Sequence, residues 1–327
     1  MRNRHVWRAF IIVIFSLLAV GGVFLSLAKG AMAISLQDIA GVLFSDHAGT
    51  SQQVIWNIRL PRTLVGALVG INLSLAGAIL QGVMKNPLAD PHIIGISSGA
   101  GLAGVTIMVL FPDKEYLVTP MAFLGAMMSA VFIYILAWKG GIRPIRIILA
   151  GVAVSAFLNS GISALMVFYS DRVHGALMWM VGGLSARSWP HLDIILPYTV
   201  VGGILALAGA RRLNILNLGD EIARGLGVNV EVSRIAMTAV AALLAASAVS
   251  VVGLLGFVGL IVPHAARLLV GSDYRYLLPA SAILGVAVVT LSDTLARVAF
   301  SPLEIPVGII MAFMGAPFFL YLLRRDA

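Results

Sequence analysis

The chain is organised by a succession of long apolar runs. Residues 8–28, 62–84, 93–111, 118–138, 145–168, 191–210, 235–255, 277–297 and 305–323 are each almost free of charge. Each comes close to the ~20 residues a helix needs to cross a hydrocarbon core about 30 Å thick. A tenth run, 256–270, is shorter and is interrupted by Pro263 and His264. Hydrophobic residues make up 60% of the 327, and mean hydropathy is +1.01. Soluble domains hold only about 45–50% apolar residues. The strict alternation of a membrane-spanning barrel is absent, so backbone polar groups in lipid must be satisfied within helices. The expected fold is all-α: one polytopic membrane domain, residues 1–327, with about ten transmembrane helices.

Ten crossings put both termini on one side, and the distribution of Lys and Arg decides which. With the N-terminus inside, the inner set is Arg2, Arg4, Arg8, Lys85, Lys139, Arg143, Arg146, Arg211, Arg212, Arg224, Arg234, Arg267, Arg275, Arg324 and Arg325. The outer set is Lys29, Arg59, Arg62, Lys114, Arg172, Arg187 and Arg297. Fifteen inside and seven outside account for all 22 basic residues. The bias places both termini in the cytoplasm.

The net charge of +8 does not mark a nucleic-acid binder, because the basic residues sit at helix ends and form no single patch. The absence of cysteine removes disulfides and thiolate metal sites. The first run is followed by the small residues Ala31, Met32 and Ala33, as a cleavable signal would be. Its length exceeds the roughly 7–15 residues of a signal h-region, and a retained helix is expected.

Against this background residues 213–234 stand out. Asp220, Glu221, Arg224, Glu231 and Arg234 fall in one cytoplasmic connection between the sixth and seventh runs. Leu218, Ile222 and Leu226 recur every fourth residue and form one apolar stripe, while Asp220, Glu221 and Arg224 take the other faces. Gly219, Gly225 and Gly227 punctuate the segment. Short amphipathic helices lying on the cytoplasmic surface are expected, with a solvated loop as the alternative.

The stretch LNILNLGDEIARGLGV resembles the cytoplasmic coupling segment of permease subunits of type II ABC importers, the FecCD-like family that takes up iron-siderophores, haem and cobalamin. Four further stretches are similar to the same family: IRLPRTLVGALVGINLSLAGAILQGVMKNPLADPHIIGISSGAGL (58–102), ILAGVAVSAFLNS (148–160), GLLGFVGLIVPHAARLLVG (253–271) and EIPVGIIMAFMGAPFFLYLL (304–323). NPLADPxxxGxxxGA and GFVGLIVPHxxR are the specific signals. The first 50 residues match only as a helix and an outer loop.

The resemblance implies a transport subunit with no catalytic residues and no bound cofactor. ATP and Mg would be used by a separate ABC ATPase, present in two copies, and the chain itself lacks a GxxxxGK[ST] phosphate loop. The segment would enter a groove of that ATPase as two short helices, which assigns Asn217, Leu218, Gly219, Asp220, Glu221, Ala223, Arg224, Leu226 and Gly227 to coupling. The other implied partners are a second permease copy, an external or periplasmic substrate-binding protein and membrane lipid. An iron-siderophore is the first expected substrate, with haem and cobalamin behind it.

Arg59, Arg62 and Arg297 run against the charge rule at outer helix ends. From the residues alone they could snorkel to headgroups or pair nearby, and Asp293 stands one turn before Arg297 as an i,i+4 partner. The resemblance implies instead that the three receive acidic side chains of the binding protein, for which an arginine fork is geometrically suited.

Within the runs, GxxxG pairs at Gly66/Gly70 and Gly95/Gly99 predict close helix contacts. Asn72, Gln81, Asn159, Ser160, Ser163 and Ser292 are costly in lipid and face either a neighbouring helix or a pathway, Asn72 and Asn159 being the pathway candidates. A shift of 172 residues lays Arg62 on Arg234, Ala76 on Ala248, Pro91 on Pro263 and His92 on His264, suggesting an inverted repeat of helices 2–5 and 7–10. His92 and His264 have no His, Asp or Glu at i+3 or i+4. They are expected to bond loop backbone and not a metal.

Two other classes fit less well. An ion-gradient transporter would carry carboxylates inside its spans, whereas only Asp293 lies well within one, beside an arginine. A membrane enzyme would need a nucleophile with a base, paired carboxylates or HExxH, and none is present.

Overall fold

The computed structural model describes residues 2–30, 34–35, 39, 41–42, 50–92, 95–139 and 144–326. Ala31, Met32, Ala33 and Arg143 lie outside the described residues, as do the first two residues of the third run. The described chain is built from α1 (Arg2–Ala28), α2 (Thr50–Val54), α3 (Leu60–Met84), α4 (Ile96–Leu110), α5 (Val118–Ala137), α6 (Pro144–Phe168), α7 (Val173–Val181), α8 (Trp189–Asn217), α9 (Asp220–Gly225), α10 (Val230–Val252), α11 (Val258–Val270), α12 (Tyr274–Val298) and α13 (Val307–Asp326), with no strand among the described residues. Ten of these take up the ten apolar runs. α2, α7 and α9 are the short additions.

The second span is longer than its apolar run. A π-helical turn over Ile55–Arg59 joins α2 to α3, and the continuous helix reaches from Ser51 to Met84. α3 stands at the centre of the bundle, packed against α8, α10, α11 and α12. α1 lies along the far side of α12, while α4, α5 and α6 form a second group joined to the first mainly through α10. The burial of Ile11 and Phe15 makes α1 part of the bundle.

Lipid is as apolar as leucine, so helices meet in it through close packing and not through exclusion of water. The backbone contacts show how. A methyl group added at Gly70 would run into the Gly285 carbonyl, and one added at Gly77 into the Gly259 carbonyl. α3 is therefore seated on α12 and α11 backbone to backbone. Gly99 meets Gly125 of α5 in the same way, whereas Gly66 faces the Leu184 side chain and Gly95 is the left-handed residue that opens α4. Each predicted GxxxG pair thus supplies one true crossing, and its partner glycine lies on another helix.

α11 is short for a reason other than Pro263 and His264, both of which it contains without breaking. The chain instead leaves α10 at Gly253 (φ 81) and re-enters a helix after Phe257 (φ 66). Gly259 then lies beside Gly77, in the last third of α3, so α11 packs along the cytoplasmic end of that helix. Pro263 has no N–H to give the carbonyl four residues earlier, that of Gly259. Gln81 Nε2 lies 3.4 Å from that oxygen and from the Leu260 oxygen, and Arg267 Nη2 donates to Gln81 Oε1 at 2.9 Å. A buried polar side chain of α3 thus serves the backbone group that proline freed.

α3 and α10, related by the 172-residue shift, pack together and are the two most buried of the long helices. The register does not carry through to the histidines: His92 stands in the α3–α4 connection, where its N–H donates to Asp90 Oδ1 at 2.9 Å, whereas His264 lies inside α11 with its ring edge-on to Phe318.

Replacing Gly77 by leucine should lower stability by about 1–3 kcal/mol or more, because backbone and not a movable side chain opposes it. Gly21, with nothing within 4 Å of an added methyl, should accept alanine without loss. Thermal denaturation in detergent would compare the two; equal melting temperatures would contradict the central packing.

Candidate functional site

The cytoplasmic face is assembled where α8, α9 and α10 follow one another. α8 continues unbroken to Asn217, so the first part of the polar segment is its last turns and not a separate short helix. Gly219 (φ 114) and Gly227 (φ 79) adopt backbone conformations that L side chains avoid, and between them stands the six-residue α9. Asn229 caps α10 by accepting from the Val232 N–H at 3.1 Å. Beneath α9, Leu216, Ala223 and Val230 form a small apolar cluster. The stripe opposite is held out: Leu218, Ile222 and Leu226 are 56%, 55% and 59% exposed. The three large apolar side chains form one exposed patch at the end of the bundle.

The nine predicted coupling residues divide in two. Asn217, Leu218, Glu221, Arg224, Leu226 and Gly227 are exposed. Ala223 is buried in the cluster, Gly219 provides the turn, and Asp220 points back to the bundle, so these three shape the segment without belonging to its outer surface. Asp220 Oδ1 accepts from Lys85 Nζ and from Arg234 Nη2, both at 2.8 Å. Burial works against the charged carboxylate, but Lys85 and Arg234 together outweigh it and hold Asp220 below its usual 3.8. A second carboxylate ties down the neighbouring helix ends. Asp273 caps α12, pairs with Arg275, accepts from Asn214 Nδ2 of α8 at 2.7 Å and lies 4.0 Å from Arg8 of α1. Its hydrogen bonds to Arg275, against a smaller opposing effect of burial, hold it well below the usual carboxylate range.

At the outer end the arginines are not presented to solvent. Arg59, Arg62 and Arg297 are 5%, 7% and 6% exposed. Arg62 grips Asp293 with two parallel bonds, Nε to Oδ2 at 3.1 Å and Nη2 to Oδ1 at 2.9 Å, and donates to Glu304 Oε2 at 2.9 Å. Arg297 pairs with the same Asp293 at 3.2 Å, the i,i+4 contact its spacing allows. Its other nitrogens reach the oxygens of Ser26 and Lys29, while Arg59 Nη1 donates to Leu27 and Ala28 oxygens at 2.7 and 3.0 Å. Three cations thus meet two carboxylates. The excess positive charge faces the negative C-terminal end of α1, where the Ser26, Leu27 and Lys29 oxygens accept from guanidinium groups and the Ala28 oxygen accepts from both Arg59 and the Ile34 N–H. The three expected docking residues therefore lie within a buried network, because burial at this depth requires each guanidinium to find protein partners. Arg62 was recognisable in the sequence as an anomaly, but its partners stand 231 and 242 residues away.

The pathway candidates also separate. Asn72 is fully buried and donates to Ser247 Oγ of α10 at 3.0 Å, a bond between helices. Asn159 is exposed on α6, beside the exposed Ser160, whose hydroxyl donates to the Ala156 oxygen of the same helix at 2.9 Å. Ser163 Oγ donates to the Asn159 oxygen at 3.0 Å, again within the helix.

A bundle of long apolar helices with an exposed apolar stripe at one end is the form of a multi-pass membrane protein. The chain belongs to the FecCD transport family, whose model matches residues 17–325. It is similar to the Fe(3+)-citrate import system permease protein YfmD of Bacillus subtilis, 39% identical over 324 residues that cover 99% of this chain and 97% of the relative. It is also similar to the cobalamin import system permease protein BtuC of Halobacterium salinarum, 46% identical over 276 residues that cover 84% and 74%. Among solved structures it matches an inward-facing conformation of a metal-chelate type ABC transporter with TM-score 0.86 and 29% identity, covering 97% of this chain and 99% of that one. It is a multi-pass permease of the cytoplasmic membrane, a transport component whose ATPase is a separate subunit.

Asp293→Asn would leave Arg62 and Arg297 buried with their shared anion removed, at a cost of about 3–5 kcal/mol. The expected outcome is a large fall in folded yield and melting temperature in detergent, and an unchanged melt would contradict the network. The Asp220 contacts make a pH prediction. Because the folded group is held below 3.8, its contribution is complete at neutral pH and is lost only as pH falls through the lowered value. A spin label at Glu221→Cys should report an ordered α9 from pH 8 down to about 5 and a mobile one only under stronger acid.

Proposed function

We propose that the chain is the membrane-spanning subunit of an importer for metal chelates, an iron-siderophore first and haem or cobalamin next. Two copies associate about a two-fold axis, two ATPase subunits cover residues 213–234, and an external binding protein delivers the chelate to the outer face. The observation that carries this reading is the exposed stripe of Leu218, Ile222 and Leu226 on a segment otherwise pinned to the bundle. The relatives' names for iron citrate and cobalamin support a chelate over a bare ion. Asp293 is already held by two arginines, which argues against coupling to a proton or sodium gradient.

The path would run between the two copies, with the exposed Asn159 face of α6 contributing to its lining. Asn72, bonded between α3 and α10, is dropped from it. Docking of the binding protein at Arg59, Arg62 and Arg297 would proceed by exchange. Glu304 is the half-exposed acid of the network, so an incoming carboxylate would compete for Arg62 there.

Aspartate at both Leu218 and Leu226 should leave folding intact, since neither side chain is buried, and should weaken binding of the cognate ATPase by at least about tenfold per substitution. Co-purification and ATP turnover would measure it. Undiminished binding would remove the basis of the reading. Uptake of ferric citrate, a ferric hydroxamate, haemin and cobalamin into proteoliposomes bearing the complete assembly would then separate the substrates.

A further inference from the structure

Residues 213–234 do more than offer an apolar stripe, because one of their carboxylates ties together elements far apart in the chain. Asp220 opens α9, and a single oxygen of its side chain takes both Lys85 and Arg234 at 2.8 Å. Lys85 is the left-handed residue (φ 50) that ends α3, and Arg234 lies in the first turns of α10. These are the two most buried of the long helices. α10 is already joined to α9 by the short connection through Asn229, so backbone alone would pass a displacement to it. α3 has no such connection: Lys85 is 135 residues from Asp220 in sequence, and this ion pair is the polar contact that joins α3 to α9. Without the carboxylate, two like charges would be left facing each other at the junction of α3, α9 and α10. The attraction that holds the junction would become repulsion.

We propose that Asp220 is a positioning residue that transmits displacement of the coupling segment to α3, with Arg234 fixing the carboxylate and Lys85 carrying the link. The central helix is then driven from its cytoplasmic end. Because α3 continues through the π-helical turn to Ile58 and Arg59, that displacement reaches the outer network in one rigid element. The inference rests on the ATPase-docking reading above.

The chain has no cysteine, so single spin labels at Glu221→Cys on α9 and at the exposed Ile58→Cys beyond the outer end of α3 report the two ends separately. Both labels should change spectrum when ATP and Mg are added to the complex with its ATPase. In Lys85→Met, which leaves the Asp220–Arg234 pair in place, ATPase affinity should stay within about twofold and the Glu221 label should still respond, while the Ile58 response falls about fivefold or more; in Asp220→Asn the Ile58 response should fall by at least as much. A merely structural ion pair would move both labels, or neither.

A full Ile58 response in both variants would overturn the proposal, as would an Ile58 label silent to ATP in the wild type. If Asp220→Asn loses ATPase binding while Lys85→Met keeps it, Asp220 is a direct contact of the ATPase and the proposal falls while the docking reading stands. A wild-type chain that fails to bind the ATPase overturns the docking reading, and this one with it.

Discussion

Close backbone approach along α3 is the constraint on which the rest of the structure depends. Lipid gives helices no reason to leave it for one another, and only contacts too near for a side chain recover enough dispersion energy to hold a bundle. Gly70 against Gly285 and Gly77 against Gly259 set α12 and α11 directly on α3. The same closeness brings Asp293 within reach of Arg62 and Gln81 within reach of the carbonyl that Pro263 leaves free. The polar networks are consequences of the packing.

The two ends of α3 then do different work with similar chemistry. At the outer end, Arg59 and Arg297 donate to oxygens at the end of α1, and two carboxylates keep the arginine cluster from repelling itself. At the cytoplasmic end, one carboxylate joins two cations in a place only partly removed from water. The outer network is built to be costly to break, because its members are buried among helices. The inner one is partly exposed and is screened by solvent. This asymmetry suits a subunit that receives mechanical work from the cytoplasm.

Much of this was legible in the sequence, and the limits are physical. Seven of the ten runs could be read as spans because lipid thickness sets a length that composition must meet, whereas Ile96–Leu110, Val258–Val270 and Val307–Tyr321 are shorter apolar helices. The stripe at 218, 222 and 226 could be read because one helical face repeats within a few residues. α7 could not, since nine residues followed by Gly182 and Gly183 are too short to cross, and its placement depends on Trp179 resting against Gly104. The direction of Asp220 was equally hidden. A period of four says which residues share a face but not which face the bundle takes, and the deciding partner, Lys85, lies in another connection. The same holds for the arginines, whose pairing with Asp293 was visible one turn away at Arg297 and invisible at Arg62.

The capping of α1 bears on how the protein is made. Its last carbonyls are completed by Arg59, which leaves the ribosome soon after them, and by Arg297, which lies 271 residues beyond Ser26. The Arg297 contacts can therefore form only after α12 has been made, so a late helix of the chain closes the end of an early one.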